Sequence, residues 1–222
     1  MHGSGATRAG VLLALLVGTL LLTVMTPSIA LAAWSSAGAR IVDPYETGYV
    51  SLLNVRVANQ AVNDSAVVTE VQFSDDGVDW LGTPYTGQAQ DWVLAGESGA
   101  KTLYVRFAAA DGSFSPVVET GITVDTQGPR TKALRAVRAA AGTSAVFRYT
   151  IADQASPKVK ATLVIRGAGV KKTVPLGWVR TGAHCASVKL DLPAGSYRWS
   201  VQAMDLAHWA QEKKVPQTLV VK

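Results

Sequence analysis

Beyond its first 32 residues, the chain alternates apolar and polar residues at a spacing of two almost throughout, and no other feature restricts its fold as strongly. Leu53, Val55 and Val57 alternate with Asn54 and Arg56, and Leu103, Val105 and Phe107 with Thr102, Tyr104 and Arg106. The same holds for Phe147, Tyr149 and Ile151, for Ala161, Leu163 and Ile165, and for Tyr197, Trp199, Val201 and Ala203. Successive side chains of a strand point to opposite faces, so these runs read as strands with one buried and one wet face. Between them lie Asp75-Asp76-Gly77, Gly96–Gly99, Asp111-Gly112, Gly167–Gly169 and Pro193–Gly195, all turn-forming text. Short strands broken by turns every eight to twelve residues or so predict an all-β sandwich or barrel. No later stretch carries a convincing helical stripe. Thr131–Ala141, short and rich in Ala, reads as a strand, with a helix as the weaker option.

The N-terminus has a different pattern. His2 and Arg8 precede the uncharged apolar run Ala9–Met25, Pro27 breaks it, and Ala30-Leu31-Ala32 offers a small-x-small site. This is the layout of a secretory signal peptide over residues 1–32, with cleavage between Ala32 and Ala33. The alternative is an uncleaved anchor, since the run is long enough to span a bilayer. No Cys follows the run, which argues against a lipid-anchored lipoprotein. The single cysteine, Cys185, allows no intrachain disulfide, so the fold must rest on its cores. Strand parity sets Cys185 with Ser187 and Lys189, on the outward face.

Asp125–Pro129 divides the remainder. Residues 33–126 hold four basic and twelve acidic residues, a net charge of −8, whereas residues 127–222 hold sixteen and four, a net charge of +12. The expected organisation is an N-terminal linker over 33–44, an acidic domain over 45–126, a linker over 127–130 and a basic domain over 131–222. A short repeat supports two copies of one architecture. Gly99–Val105 runs on to Asp111 much as Gly195–Val201 runs on to Asp205, and a last strand follows each.

On these residues the chain resembles known modules. Phe73–Trp80, Trp92–Leu94, Gly99–Phe107 and Asp111–Ser115 are similar to the bacterial Ig-like modules found in tandem on exported proteins. Pro193–Trp199 and Asp205–Gln211 resemble the Ig-like domain named after the flagellar hook-capping protein. The resemblance covers residues 45–222. It implies two tandem immunoglobulin/fibronectin-III-like β-sandwiches and a binding or structural role, with Trp80, Trp92, Tyr197 and Trp199 as core side chains.

The residues themselves supply no catalytic constellation. His184 and Cys185 are adjacent, so on a strand they face apart, and no nucleophile elbow, zinc-protease motif or phosphate loop is present. No enzyme and no cofactor are expected. Asp75, Asp76 and Asp79 read as turn residues rather than metal ligands. Asp125, just ahead of Pro129, is the better calcium candidate, although no metal site is assigned.

The candidate binding residues are basic or aromatic. Lys158, Lys160, Arg166, Lys171, Lys172, Lys213 and Lys214 form a candidate patch with few acids nearby. Trp178 and Trp209, in loop-like text, are candidate exposed aromatics. The expected protein is extracellular or on the cell surface and non-catalytic, its basic domain holding an anionic envelope polymer or an acidic protein surface. An adhesin working through Trp178 or Trp209, or self-assembly of acidic on basic domains, is the alternative. Nucleic acid is not an expected partner, and a membrane is one only through an uncleaved N-terminal segment.

Overall fold

In the computed structural model, residues 34–167 and 169–222 are described. The signal segment and its cleavage residues Ala32 and Ala33 lie outside them. The described residues form seventeen strands. The first eight are β1 (Trp34–Ile41), β2 (Tyr49–Val50), β3 (Asn54–Asn63), β4 (Val68–Ser74), β5 (Leu81–Pro84), β6 (Gln90–Val93), β7 (Gly99–Ala109) and β8 (Val118–Val124). After the linker come β9 (Arg130–Ala133), β10 (Val137–Ala139), β11 (Ser144–Ala152), β12 (Lys158–Gly167), β13 (Val170–Arg180), β14 (Gly182–Lys189), β15 (Gly195–Met204), β16 (Lys213–Val215) and β17 (Gln217–Val221). Among the described residues no helix is long and apolar enough to cross a membrane.

The strands build two sandwiches. In the first, the sheet β1-β3-β6 faces the sheet β2-β8-β7-β4-β5. In the second, β14-β11-β9-β16 faces β10-β17-β15-β12-β13. Most pairs are antiparallel, and β2/β8, β10/β17 and β16/β9 are parallel. Each sandwich encloses its own core. Val57, Val71, Phe73, Leu103, Val105 and Phe107 fill the first, and Phe147, Leu163, Ile165, Tyr197, Trp199 and Leu219 fill the second. The period-two pattern thus performs the task expected of it, placing alternate residues of each strand inside.

Three expectations need correction. The stretch taken as a linker, 33–44, supplies β1, which pairs along β3 from Trp34 to Ile41. Its sequence Ser35–Ala39 consists of small residues without apolar alternation, so it carried no strand signal. Thr131–Ala141 is neither one strand nor a helix but spans two short strands, β9 and β10. Trp80, expected in the core, instead lies over the guanidinium of Arg106, with Phe114 also stacked on that group, at 4.2 and 4.3 Å. Trp92 is half-buried against Phe73, whereas Tyr197 and Trp199 are in the core as expected. Cys185 is exposed, as its parity predicts.

The Asp-rich turn follows turn chemistry. Asp76 Oδ1 accepts hydrogen bonds from the Val78 and Asp79 N–H groups and from Ser74 Oγ. These donors, Val78 first, hold its carboxyl below the usual range.

Candidate functional site

Two features stand out, one at the junction of the sandwiches and one on an outer sheet face. The junction is built from strand ends. Asp125 follows β8, Asp153 follows β11 and Asp205 follows β15, each the first residue past its strand. One carboxylate oxygen from each lies within 4.8 Å of the others. Asp125 and Asp205 are buried, at 1% and 0% exposure, and Asp153 is partly buried.

The surrounding bonds fix these three side chains across the junction. Ser156 Oγ donates to Asp125 Oδ2 at 2.7 Å, and the Leu206 N–H donates to Ser156 Oγ at 3.3 Å. The Ala155 and Ser156 N–H groups donate to Asp153 Oδ1. The Trp209 N–H donates to Asp205 Oδ1 at 2.8 Å, and its indole Nε1–H donates to the Asp125 carbonyl at 2.7 Å. Tyr45 of the first sandwich stacks on His208 of the second, with ring centroids 3.5 Å apart. At Gly128 a Cβ would strike the Ala210 carbonyl oxygen, so only glycine lets the linker lie this close to the segment after β15.

Two carboxylate oxygens are left over. Among the described residues, Asp153 Oδ2 and Asp205 Oδ2 find no hydrogen-bond donor. A buried charge without a partner is costly. Burial pushes the Asp205 carboxyl up to about 7, against the pull of the Trp209 N–H, and the charges of Asp125 and Asp153 add to the rise. Burial raises Asp153 as well, with the Ser156 N–H opposing it.

Folding raises the affinity of Asp205 for its proton, so the associated stability is complete below 3.8 and lost as pH rises through about 7. In chelated buffer, Asp205 should therefore make stability fall between about pH 4 and about pH 7, by at most about 4 kcal/mol for a rise of this size. Asp205→Asn should flatten that profile in denaturant melts. A wild-type profile that is already flat would contradict the crowding of carboxylates. Asp76 and Asp111, both held low by backbone N–H groups, act only in acid, where their contribution is lost as pH falls through their lowered values.

The second feature is the outer face of the sheet β10-β17-β15-β12-β13. Register places Arg166 between Arg198 on β15 and Lys171 on β13, three cations side by side on neighbouring strands. Towards the other end Lys158 pairs with Arg180, and Lys160 with Trp178. Arg138, opposite Val220, extends the face across β10. None of the residues paired on this face across β12, β13, β15 and β17 is acidic. The second sandwich holds four acids, and three of them lie away from this face. Asp153 and Asp205 are at the junction, Asp191 pairs with Lys172 and Lys189, and Glu212 pairs with Arg130 while lining the hollow beside Lys160 and Lys214. Like charges directly opposite are unfavourable, and no acid is paired with the Arg198–Arg166–Lys171 row.

The candidate patch is therefore brought together only in part. Lys158, Lys160, Arg166 and Lys171 share the face, and Lys214 reaches its margin, lining shallow hollows with Gln202 and Arg198. Lys172 has the opposite parity and reaches the edge of the facing sheet, donating to the Lys189 carbonyl at 2.8 Å. Lys213 lies on β16, in the other sheet, opposite Arg130. Arg138, Arg180 and Arg198 join the face and were missed, although their outward parity was readable.

The two candidate aromatics differ. Trp178 is 51% exposed and lies in β13 rather than in a loop, with Lys158 Nζ 5.5 Å above its ring. Trp209 is occupied at the junction, through both its backbone and indole N–H groups.

No family model and no curated protein matches the sequence. Solved structures do. Fibronectin(III)-like modules of Clostridium thermocellum CbhA align at 19% identity and a TM-score of 0.48, over 83% of this chain and 94% of that one. A structure concerning host cell surface retention of a 1.5-MDa bacterial ice-binding adhesin aligns at 15% identity and 0.45, over 84% and 65%. The tetra-tandem repeat in the extending region of a large adhesion protein aligns at 12% and 0.38, over 83% and 49%. The fold assignment rests on the sheets and cores described above.

Proposed function

We propose that this is a non-catalytic, surface-associated Ig-like protein whose second sandwich holds anionic envelope material on the outer face of β12, β13 and β15. The observation that carries this reading is the uncompensated row Arg198–Arg166–Lys171 and its continuation through Lys160, Lys158 and Arg180. A row of fixed cations suits an extended polyanion, whose successive charges can each meet a side chain. Arginine adds bidentate geometry for phosphate or carboxylate. Export places such polymers, rather than nucleic acid, within reach.

Binding of this kind is sensitive to salt, since exposed charges are screened over about 10 Å at 0.1 M. With polyphosphate as the probe, affinity should fall by at least about tenfold between about 50 and about 500 mM salt. Binding that ignores salt would contradict the electrostatic reading. The exposure of Trp178 favours a second reading, in which the aromatic ring and not the charge recognises a sugar or protein. Under that reading Trp178→Ala would abolish binding at any salt concentration.

A further inference from the structure

We infer that Asp125, Asp153 and Asp205 bind a divalent cation of the calcium class, and that the ion ties the two sandwiches together at their junction. Clustered acids alone would not support this. The second observation is Asp205 itself, which is fully buried, aimed into the cluster, and has an Oδ2 for which no described residue supplies a donor. Such an oxygen is relieved either by a proton, which burial favours when the site is bare, or by a cation held among the three carboxylates. No Lys or Arg side chain is bonded to the three carboxylates among the described residues. A cation would supply what is missing.

The donor set selects the ion. All three ligands are carboxylate oxygens, with no His or Cys, which suits a hard cation. Their mutual separation, within 4.8 Å, fits inside the roughly 5 Å that two oxygens on one Ca²⁺ can span at about 2.3–2.6 Å each. Mg²⁺ demands closer, near-octahedral oxygens and gives up its water reluctantly, so Ca²⁺ should be preferred.

The chain's own bonds hold the ligands ready. Asp125 is braced at both oxygens, by Ser156 Oγ and by the Gln127 N–H, whereas Asp153 and Asp205 are each held at Oδ1 by backbone N–H groups and keep Oδ2 free. Asp125 closes the first sandwich, whereas Asp153 and Asp205 belong to the second. An ion shared by the three therefore replaces mutual repulsion with a bond across the linker.

The test uses the whole chain, stripped with chelator and titrated with CaCl₂, with thermal melting and Trp fluorescence as readouts. Trp209 lies against Asp125 and Asp205, so its emission reports on the site directly. Tb³⁺ provides a second probe, through luminescence sensitised by the same indole. The expected result is a saturable rise in melting temperature and a change in Trp emission, with Kd at or below about 10⁻³ M, and a weaker response to MgCl₂. Asp205→Asn and Asp153→Asn should each weaken Ca²⁺ binding by at least about tenfold, while Asp191→Asn, at an exposed pair, should leave it unchanged. In chelator Asp205→Asn should melt at or above the wild type, because a buried charge has been removed. The proposal is overturned if the stripped wild type shows no response, or if the response survives undiminished in both Asn variants.

Discussion

Trp199→Ala should destabilise the second sandwich by about 3–5 kcal/mol, the largest single-residue effect expected in this chain. Trp199 is fully buried, lies edge-on to Phe147 at 4.9 Å, and sits at the centre of a core that includes Leu163, Ile165 and Leu219. Its removal leaves a cavity that β12 and β15 cannot close, since their register is pinned by the pairs from Lys160↔Met204 to Arg166↔Arg198. Among the described residues, the Trp199 indole N–H has no acceptor. Trp199→Phe should therefore cost less, because it deletes an unsatisfied donor along with part of the ring. Urea melts of the three proteins check both halves of this. A cost for Phe equal to that for Ala would mean that the N–H has a partner after all.

The largest functional effect should come from reversing charge where the cations are most crowded. Arg166→Glu with Lys171→Glu takes the outer face from seven basic residues (Arg138, Lys158, Lys160, Arg166, Lys171, Arg180 and Arg198) to five, interrupted by two acids. Polyanion affinity should drop by at least about tenfold, or about 1.4 kcal/mol. Stability should change by less than about 0.5 kcal/mol, because both side chains are exposed. The reversal turns the 166–198 opposition into an attraction and leaves one like-charge opposition, now acidic, between positions 166 and 171. Lys172→Glu, which acts through Asp191 at the facing sheet, should leave affinity nearly unaltered.

The strands were legible because a half-buried strand must alternate, and these do. What escaped the sequence reading escaped for identifiable reasons. β1 is written in small residues that cover the core without advertising it. Trp178 read as loop because Pro175 and Gly177 surround it, yet a register shift opposite Ala161 and Thr162, with Gly177 at a φ of 75°, absorbs both into β13. Lys171 and Lys172 could have been separated, since neighbours on a strand face opposite ways.

The acidic triad is a different matter. Asp125 was singled out from its place before Pro129, but its companions lie 28 and 80 residues further on and meet it only because three strands end at one junction. The available signal was weak, namely an Asp directly after the last apolar residue of a strand. Aspartates near strand ends are also routine in turns, as Asp76 and Asp111 demonstrate.

The most direct measurement is co-sedimentation of the whole chain with envelopes of the producing cells, at about 50 and about 500 mM salt, for the wild type and for Arg166→Glu with Lys171→Glu. Retention of the wild type at low salt only, and its loss in the double variant at both, is the predicted result. Equal retention of the two proteins, or retention indifferent to salt, would contradict a role for the basic sheet face.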